Sequence, residues 1–417
     1  SVSLTANGNS IDGANASGLS ATDFTDIEIS DNRIADAVAN GIFAFNTQQN
    51  GGRATISDNS VSDIDGDGIF VQGYDSLSVV GNSVAGTTAS GLLLFLSPLD
   101  PNGGLATVTD NRIDDTGSRG IILNGYTGVS VSSNTVTNAS GTVGGIEIIG
   151  VNLTFDPTNT QGAATVSNNS VGTTGRDGIM VQDFQSLTGT GNSVANVART
   201  GINLTRIGSV DLANSTVSNA AVAGFGLLNV GNAMLTGLQA SGGAGDGLRL
   251  ERSDSLAAQM NVTVSGGSFG GGAAGIRVFD NDGVNGGTLL QLAIADGTGV
   301  LVTNAGTGLL IDGPDTALAG NTLNDMAFST IGGGTGDYIR LENGGLFQPG
   351  GPTQIDATRV SFDGVIAGNL NPANSGDLNT LAGLETRLVH YLDDPTLGFI
   401  RLLDGAIVLP TENGLNG

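Results

Sequence analysis

The stretch VSVSSNTVTNASGTVGGIEI, residues 129–148, contains the pattern that decides the fold. Apolar and polar residues alternate before Asn134, Val136 follows two positions later, and a second alternating segment begins after Gly145. Alternation with a period of two is typical of strands that bury one face. The stretch therefore predicts short strands joined by turns, with an Asn at one of the turns.

The same pattern recurs along the chain with a basic period of 23 residues, lengthened in places by insertions. A fixed period of this size indicates one structural coil per repeat. The repeated Asn residues are Asn9, Asn32, Asn59, Asn82, Asn111, Asn134, Asn169 and Asn192. We align weaker copies of this position at Ser215, Leu238, Gly267, Gly297, Ile331 and Val360, which predicts about 14 coils of 23 or more residues.

Three short strands per repeat predict an all-β fold, a single-stranded right-handed parallel β-helix over residues 1–376. Each coil pairs in parallel with its neighbours, and this pairing satisfies the backbone polar groups. We expect each repeated Asn to adopt a left-handed conformation and to donate its amide to the Asn one coil away. Residues 377–417 are expected to cap the solenoid, with Asp377 starting a helix over 377–392 and a strand over 399–409.

Composition limits the function classes. The 417 residues include 69 Gly, no Cys, no Trp and only 4% aromatic residues. The net charge is −25, so a basic stripe for nucleic acid is not expected. No apolar run approaches the ~20 residues that a membrane helix needs. The first residue is Ser1, which fits a chain from which a signal peptide has been removed or a piece of a longer protein.

The pair of motifs, Asn-x-(Val/Ile) and Gly-Ile, resembles the bacterial right-handed parallel β-helix repeat family. That family is similar in fold to pectate-lyase-like enzymes, phage tailspikes, autotransporter passengers and large surface exoproteins. The resemblance covers most of residues 1–375 and implies the fold. Because the family hosts several chemistries, it does not imply one function.

Insertions follow the Gly-apolar strand at alternate coils, at 46–53, 97–104 and 150–162, and 280–287 continues the series. Insertions of a solenoid often collect on its binding face, so we consider a binding shelf. The alternative is a row of solvated loops.

Aromatic residues stand eight positions before the repeated Asn of the uninserted coils. An outward column of rings would suit a glycan groove, whereas an inward column would be core packing, the more common use of large rings. Three Arg beside Gly residues could bind carboxylated sugars or could pair with neighbours such as Asp177. The glycan-binding candidates are Tyr74, Tyr126, Phe184, Arg119, Arg176 and Arg199.

Asp63, Asp65 and Asp67 form the best candidate for a metal site, because oxygen ligands at alternate positions followed by Gly suit Ca²⁺. The bidentate Glu of an EF-hand loop is missing, since Tyr74 occupies its place. Ordinary Asp-rich turns are the alternative. No other cofactor is predicted.

Catalytic candidates are few. The chain has one His, His390, and no Lys. Polygalacturonase-like members of the family carry Asn-Thr-Asp, Gly-His-Gly and Arg-Ile-Lys groups, none of which occurs here. The resemblance to pectate lyases would assign Asp114 and Asp115 to Ca²⁺ and Arg119 to the base.

We therefore expect a non-enzymatic, extracellular structural or adhesive module of a bacterial surface or filament assembly. The alternatives are a polysaccharide lyase or glycoside hydrolase and a phage-spike-like glycan-binding protein. Expected partners are further copies of the chain, flanking domains or a surface polysaccharide. Head-to-tail contact between residues 399–409 and the first coil of the next copy would produce a fibre.

Overall fold

The structure, a computed structural model, describes residues 2–47, 51–96, 103–141, 144–151, 162–253, 259–280, 290–295, 297–313, 316–318, 322–343, 354–356, 359–371, 373–391, 401–403 and 406–408. The chain divides into two compact units, Ser1–Ser209 and Val210–Gly417. Each unit contains a parallel β-solenoid, as the repeats predict.

Each turn of the first unit has three strands in succession. The first strands are β1 Ser3–Asn7, β4 Asp26–Ser30, β7 Arg53–Ser57, β10 Ser76–Val80, β13 Leu105–Thr109, β16 Gly128–Ser132 and β19 Ala163–Ser167. The second strands are β2 Ser10–Asp12, β5 Arg33–Ala37, β8 Ser60–Ile64, β11 Ser83–Thr87, β14 Arg112–Thr116, β17 Thr135–Ala139, β20 Ser170–Thr174 and β22 Ser193–Val197. The third strands are β3 Leu19–Thr22, β6 Ile42–Phe45, β9 Ile69–Gln72, β12 Leu92–Phe95, β15 Ile121–Asn124 and β18 Ile146–Ile149. Strand β21, Ile179–Thr190, combines the third strand of one turn with the first strand of the next turn. Strand β23 spans Thr200–Ala213.

The second unit repeats the arrangement, with second strands that are mostly shorter than those of the first unit. Its first strands are β26 Asn232–Thr236, β29 Met260–Ser265, β32 Leu290–Ile294 and β35 Thr316–Leu318. Its second strands are β24 Thr216–Ala220, β27 Gln239–Ser241, β30 Ser268–Phe269, β33 Val300–Thr303, β36 Met326–Ser329 and β39 Ser361–Phe362. Its third strands are β25 Ala223–Leu228, β28 Asp246–Arg252, β31 Ala274–Asp280, β34 Thr307–Asp312, β37 Ile339–Glu342 and β41 Val389–Tyr391. Strand β40, Val365–Ile366, pairs antiparallel with β39, and 3-10 helices span Thr322–Asp325, Ile331–Gly334 and Ala367–Asn369.

The coil count corrects the sequence prediction. About 11 full turns form the solenoid, whereas we expected 14 coils, although 14 second strands follow one another in the sheet. The late turns are incomplete, because β39 has only two residues and 3-10 helices interrupt the strands. The register also differs there. Leu301 pairs with Ser268 and Ala327 pairs with Leu301, so the positions equivalent to Gly267 are Val300 and Met326, not Gly297 and Ile331.

Identical positions of successive turns stack inside the solenoid of the first unit. Ile42, Ile69, Leu92, Ile121 and Ile146 pair in register from strand to strand, and all five are fully buried. Burying an aliphatic side chain of this size contributes roughly 1.5–3 kcal/mol. The repeated apolar residues therefore build one continuous core.

The repeated Asn residues of the first unit form the predicted ladder. Asn134 is typical: its Nδ2 donates to Asn169 Oδ1 at 3.0 Å and to the carbonyl of Val108 at 2.9 Å. Its backbone N–H donates to the same Asn169 Oδ1 at 3.1 Å. Asn111 makes the corresponding two bonds to Asn134 Oδ1. From Asn32 to Asn192 the ladder side chains are at most 2% exposed.

The left-handed residue is not the Asn itself, which corrects our expectation. The residue before each ladder Asn has positive φ, as in Asp31, Asp58, Asp110 and Ser133, with φ between 55° and 56°. The turn thus separates two tasks. One residue reverses the chain, and the next directs its amide inward.

The Gly that opens each third strand is required by close packing. A Cβ at Gly120 would lie 2.2 Å from Val136 Cγ1 and 2.7 Å from the carbonyl oxygen of Gly145. Any side chain there would collide with the next turn. The Gly-Ile motif therefore marks a contact between coils.

The C-terminal cap is present with shifted boundaries. Helix α1 spans Ser375–Leu388, and Asn374, not Asp377, caps it by accepting the N–H of Gly376. It ends four residues earlier than predicted, because Val389–Tyr391 continues as β41, parallel to β37. The strand expected over 399–409 is a hairpin of β42, Arg401–Leu403, and β43, Ala406–Val408, which also pairs with β38, Gln354–Asp356. Among the described residues no helix is long and apolar enough to cross a membrane.

Arg387 at the end of α1 fastens the helix to the last turns. Its Nε donates to the carbonyl of Gly336 at 2.8 Å, and its Nη1 donates to Tyr338 Oη at 2.8 Å and to Asp363 Oδ2 at 3.2 Å. Burial opposes ionisation of Asp363, but hydrogen bonds from Tyr338, Thr330 and Arg387 outweigh it and lower the pKa of this carboxyl. The cap therefore depends on an ionised Asp363.

We predict that Asn134→Ala lowers the free energy of unfolding by about 1–3 kcal/mol, because it leaves the buried backbone N–H of Asn111 without its acceptor, whereas the side-chain amide of Asn111 keeps its bonds to backbone carbonyls. The control is Asn138→Gly, at an exposed left-handed position with φ 55°, which should change stability by less than ~0.5 kcal/mol. Urea unfolding followed by circular dichroism measures both. Equal losses in the two variants would contradict the ladder's energetic role.

The cap should detach in acid. The folded-state pKa of Asp363 lies below its ordinary value of 3.8, so its bonds stabilise the cap above that value and are lost as the pH falls through the lowered pKa. The chain has no Cys, so a fluorophore attached to Gly383→Cys, an open position on α1, reports the transition uniquely. In an Asp363→Asn background, where Asn keeps the left-handed backbone, the acid transition should disappear. An unchanged transition in that background would contradict the role of Asp363.

Candidate binding surface

The three rings predicted to line a glycan groove lie in the core. Tyr74, Tyr126 and Phe184 are fully buried, and the Oη of Tyr126 donates to the backbone carbonyl of Tyr74 at 3.2 Å. Burial, followed by the nearby charge of Asp23, raises the pKa of Tyr74 to about 12. These three rings therefore face inward and belong to the core packing, and none of the three has a face open to a sugar.

The three candidate Arg residues do not form one site. Arg176 and Arg199 lie on successive turns, joined by a bond from the N–H of Arg199 to the carbonyl of Arg176 at 3.0 Å. Arg176 Nε is 3.8 Å from Asp177 Oδ2, and Arg199 is exposed. Arg119 instead forms an ion pair with Glu147 on the next turn.

Two of the three catalytic candidates, Asp114 and Arg119, are bonded to other side chains. Asp114 accepts hydrogen bonds from Thr137 at 2.6 Å and Asn138 at 3.1 Å, and the bond from Thr137 is the largest cause of its lowered pKa. Asp115 is an exposed left-handed turn residue with φ 53°. A carboxyl held ionised in this way is a poor general acid. The ion pair of Arg119 with Glu147 directs its guanidinium away from the role of a base.

The carboxylates of the three calcium candidates do not converge on one point. Asp67 Oδ1 accepts the N–H of Ser90 at 2.9 Å, and burial raises the pKa of Asp67. Asp63 and Asp65 are exposed on β8 and the turn after it. Across the described part of the chain, no group of three or more acidic, His or Cys side chains is arranged to hold a metal ion. Calcium binding at these residues stays a prediction without support from the geometry.

The binding shelf falls largely outside the described residues, since 48–50, 97–102, 152–161 and 281–289 lie there. The strands that precede these insertions are described. Their outward side chains form the surface that the sequence argument overlooked.

The outer side of β6, β9 and β12, three of the third strands in the first unit, is mostly apolar. Phe43 pairs in register with Phe70, Phe70 with Leu93, and Phe45 lies two positions after Phe43 on β6, in the same column as Phe95. We call Phe43, Phe45, Phe70, Leu93 and Phe95 the aromatic face. All five are half-buried. Sheets that face water on one side normally alternate apolar and polar residues, so an apolar outer side is unusual.

The rings of the aromatic face pack against one another along the solenoid. Phe43 and Phe70 have centroids 5.0 Å apart and planes at 14°, and Phe43 and Phe45 are 6.2 Å apart. Stacking covers one face of each of the paired rings. The surface therefore offers apolar contact area more than open ring faces.

Amide side chains alternate with apolar ones in the second column of this surface. Reading up the turns, the column is Phe45, Gln72, Phe95, Asn124, Ile149 and Gln182. Each amide supplies both donors and acceptors. The combination can hold a ligand that has apolar patches and hydroxyl groups.

The same strands of the second unit present charge. Arg249 pairs with Glu251 at 2.9 Å and Arg277 with Asp312 at 2.6 Å. The guanidinium of Arg277 lies 5.0 Å from the ring centroid of Phe279. Acidic side chains on these strands neutralise both Arg residues. The third strands of the second unit thus present ion pairs, whereas those of the aromatic face present apolar side chains.

A signal for the aromatic face was present in the sequence. Residues 42–45 and 92–95, Ile-Phe-Ala-Phe and Leu-Leu-Leu-Phe, are apolar at every position, so one apolar set must face outward. The alternation was used to predict only the buried residues of these strands, and the residues that face outward were not considered.

The family described as "Right handed beta helix region" matches residues 1–152 and 157–323. No curated protein and no solved structure matches the chain. Because the family match covers well over half of the sequence, the chain belongs to the right-handed β-helix family.

Proposed function

We propose that this member of the right-handed β-helix family is a non-enzymatic, extracellular structural or adhesive module of a bacterial surface or filament assembly. Adhesion uses the aromatic face. The observation that carries the proposal is the half-buried Phe43, Phe70 and Leu93 column on the outer side of a sheet. Contiguous outward apolar residues on a soluble protein typically mark an interaction site.

The scaffold beneath this surface supports the proposal. The third strands are held in register by parallel pairing, and the side chains under them are fully buried. A rigid support reduces the entropy lost when a partner binds. Adhesion therefore needs no ordering of the protein.

A second candidate function is glycan binding on the same surface. The alternation of Phe45, Gln72, Phe95 and Asn124 favours it, since amides bind hydroxyl groups beside apolar sugar faces. A surface polysaccharide is then the partner. The enzymatic alternative requires a different site, because Asp114 and Arg119 are engaged elsewhere.

Self-association is the other part of the proposal. The hairpin of β42 and β43 falls within residues 399–409, the segment proposed to contact the first coil of the next copy. Among the described strands, β43 pairs on both sides and β42 on one, so the other edge of β42 is the contacting element. Sedimentation of a variant lacking residues 396–417 tests this: polymers that persist in the variant would contradict it.

We predict that the double substitution Phe43→Ser and Phe70→Ser weakens adsorption to an alkyl-terminated surface at least tenfold, because each buried ring contributes roughly 1.5–3 kcal/mol to an apolar contact. A quartz crystal microbalance with alkyl and hydroxyl surfaces measures the difference. The matched control is Ser170→Ala with Ser193→Ala, at exposed positions on β20 and β22.

Equal adsorption of the two double variants would contradict the aromatic face as the adhesive surface. Retention of the intact chain on immobilised neutral polysaccharide, lost in the Phe variant, would favour the glycan alternative. Release of unsaturated or reducing ends from anionic polysaccharides by the purified chain would replace the proposal with the enzymatic one.

A further inference from the structure

The first strands of the first unit present a second regular surface on a different side of the solenoid. Strand pairing aligns two outward columns over six successive turns, from β7 to β21. One column is Thr55, Ser78, Thr107, Ser130, Thr165 and Thr188, and the other is Ser57, Val80, Thr109, Ser132, Ser167 and Thr190. Eleven of these twelve side chains carry a hydroxyl, and we call the twelve the hydroxyl array.

The spacing of the hydroxyl array is set by the backbone. Neighbouring strands lie ~4.8 Å apart, and residues two apart on one strand are separated by roughly 6.6 Å. The array is therefore a rectangular lattice with two fixed repeats. Thr has a stiff χ1 torsion, so its hydroxyl and methyl groups repeat as regularly as the strands.

The hydroxyl groups are available to solvent. Thr107, Thr165, Thr188 and Thr190 are exposed, and the other members of the array are half-buried. Among the described residues, one hydrogen bond joins two members of the array, between Thr109 and Ser132 at 3.1 Å. The surface thus offers a grid of donors and acceptors that few internal bonds occupy.

The array is also uncharged. The chain carries 39 acidic residues, yet none occupies the twelve positions of these columns. Glu28 ends the first column on the β4 side, where it pairs with Thr55. A neutral grid inside a strongly acidic chain favours a neutral ligand with its own two-dimensional repeat.

We propose that the hydroxyl array binds the surface of ice. The repeats of water oxygens on the faces of hexagonal ice are close to both repeats of the array, so water held on the hydroxyl groups can join the crystal. A flexible surface would lose entropy for every ordered water, whereas the paired strands fix the positions of these side chains before contact. Each contact is weak, and the match accumulates over six turns.

The ligand must be a lattice and not a single small molecule, because the array repeats equivalent hydroxyl groups over six turns and has no distinguished position. A neutral polysaccharide fibre also has a repeat, but the array lacks the aromatic rings on which sugars stack. The observations therefore favour ice. This surface is separate from the aromatic face, so the inference does not rest on the proposed function.

The test compares the intact chain with Thr107→Tyr and Thr165→Tyr combined, which places two large rings in the exposed centre of the array. Tyr is favourable in strands, so the fold should persist. The control is Ser170→Tyr with Ser193→Tyr, on the exposed side of β20 and β22. Thermal hysteresis and inhibition of ice recrystallisation are measured, with circular dichroism confirming that all three proteins are folded.

We expect activity in the intact chain and in the control, and a loss of at least fivefold in the array variant. No thermal hysteresis and no inhibition of recrystallisation by the intact chain would overturn the proposal, and so would equal activity in the two variants. Retention on cellulose or chitin that the array variant alone loses, without activity on ice, would assign the array to a neutral polysaccharide and overturn it as well.

Discussion

Parallel pairing between successive turns is the constraint on which each unit depends. It places equivalent residues of neighbouring repeats one above another at ~4.8 Å, so every position of the repeat becomes a column. The Asn column shows the benefit. In each step from Asn32 to Asn192, the oxygen of one Asn accepts two bonds from the Asn of the turn before, inside a turn that is nearly closed to water. Buried amides are costly when unpaired, so the ladder stabilises the fold only while it is continuous.

The part of the fold that follows from this constraint could be predicted from the sequence. A ladder Asn needs a partner of the same kind, so the repeat shows directly where each turn lies. In the second unit Ser215 and Leu238 replace the Asn, the marker is lost, and Gly297 and Ile331 were aligned out of register. The left-handed residue was assigned to the Asn because Asn tolerates that conformation, but Asp31 and Ser133 adopt it instead. Sequence propensity identified the turn. It could not show that one residue takes the left-handed conformation and that the adjacent Asn directs its amide inward.

The candidate site was harder to predict, because columns are formed by register and not by spacing alone. Tyr74 and Tyr126 are spaced as regularly as any surface column, yet they face inward. Phe43 and Phe70 face outward and were not selected, although their separation is one repeat plus its insertion. Which side of a strand a residue occupies depends on a shift of one position, and aromatic residues are compatible with either side. Only the pairing of the strands decides between them.

Stacking also explains which residues these surfaces can carry. A charged side chain in a column meets its own kind on the next turn, and like charges opposite one another on paired strands are destabilising. Asp36 illustrates this: its contact with Asp12, then burial and the charges of Asp12 and Asp63, raise its pKa. Arg249 and Arg277 do pair in register, and acidic side chains in the neighbouring column neutralise them. A column can also avoid the repulsion by excluding charge. The aromatic face and the hydroxyl array exclude charge. Only an uncharged residue can be repeated on every turn without this repulsion. Long, regular binding surfaces on such a scaffold are therefore apolar or hydroxylic, which favours extended neutral ligands over single charged ones.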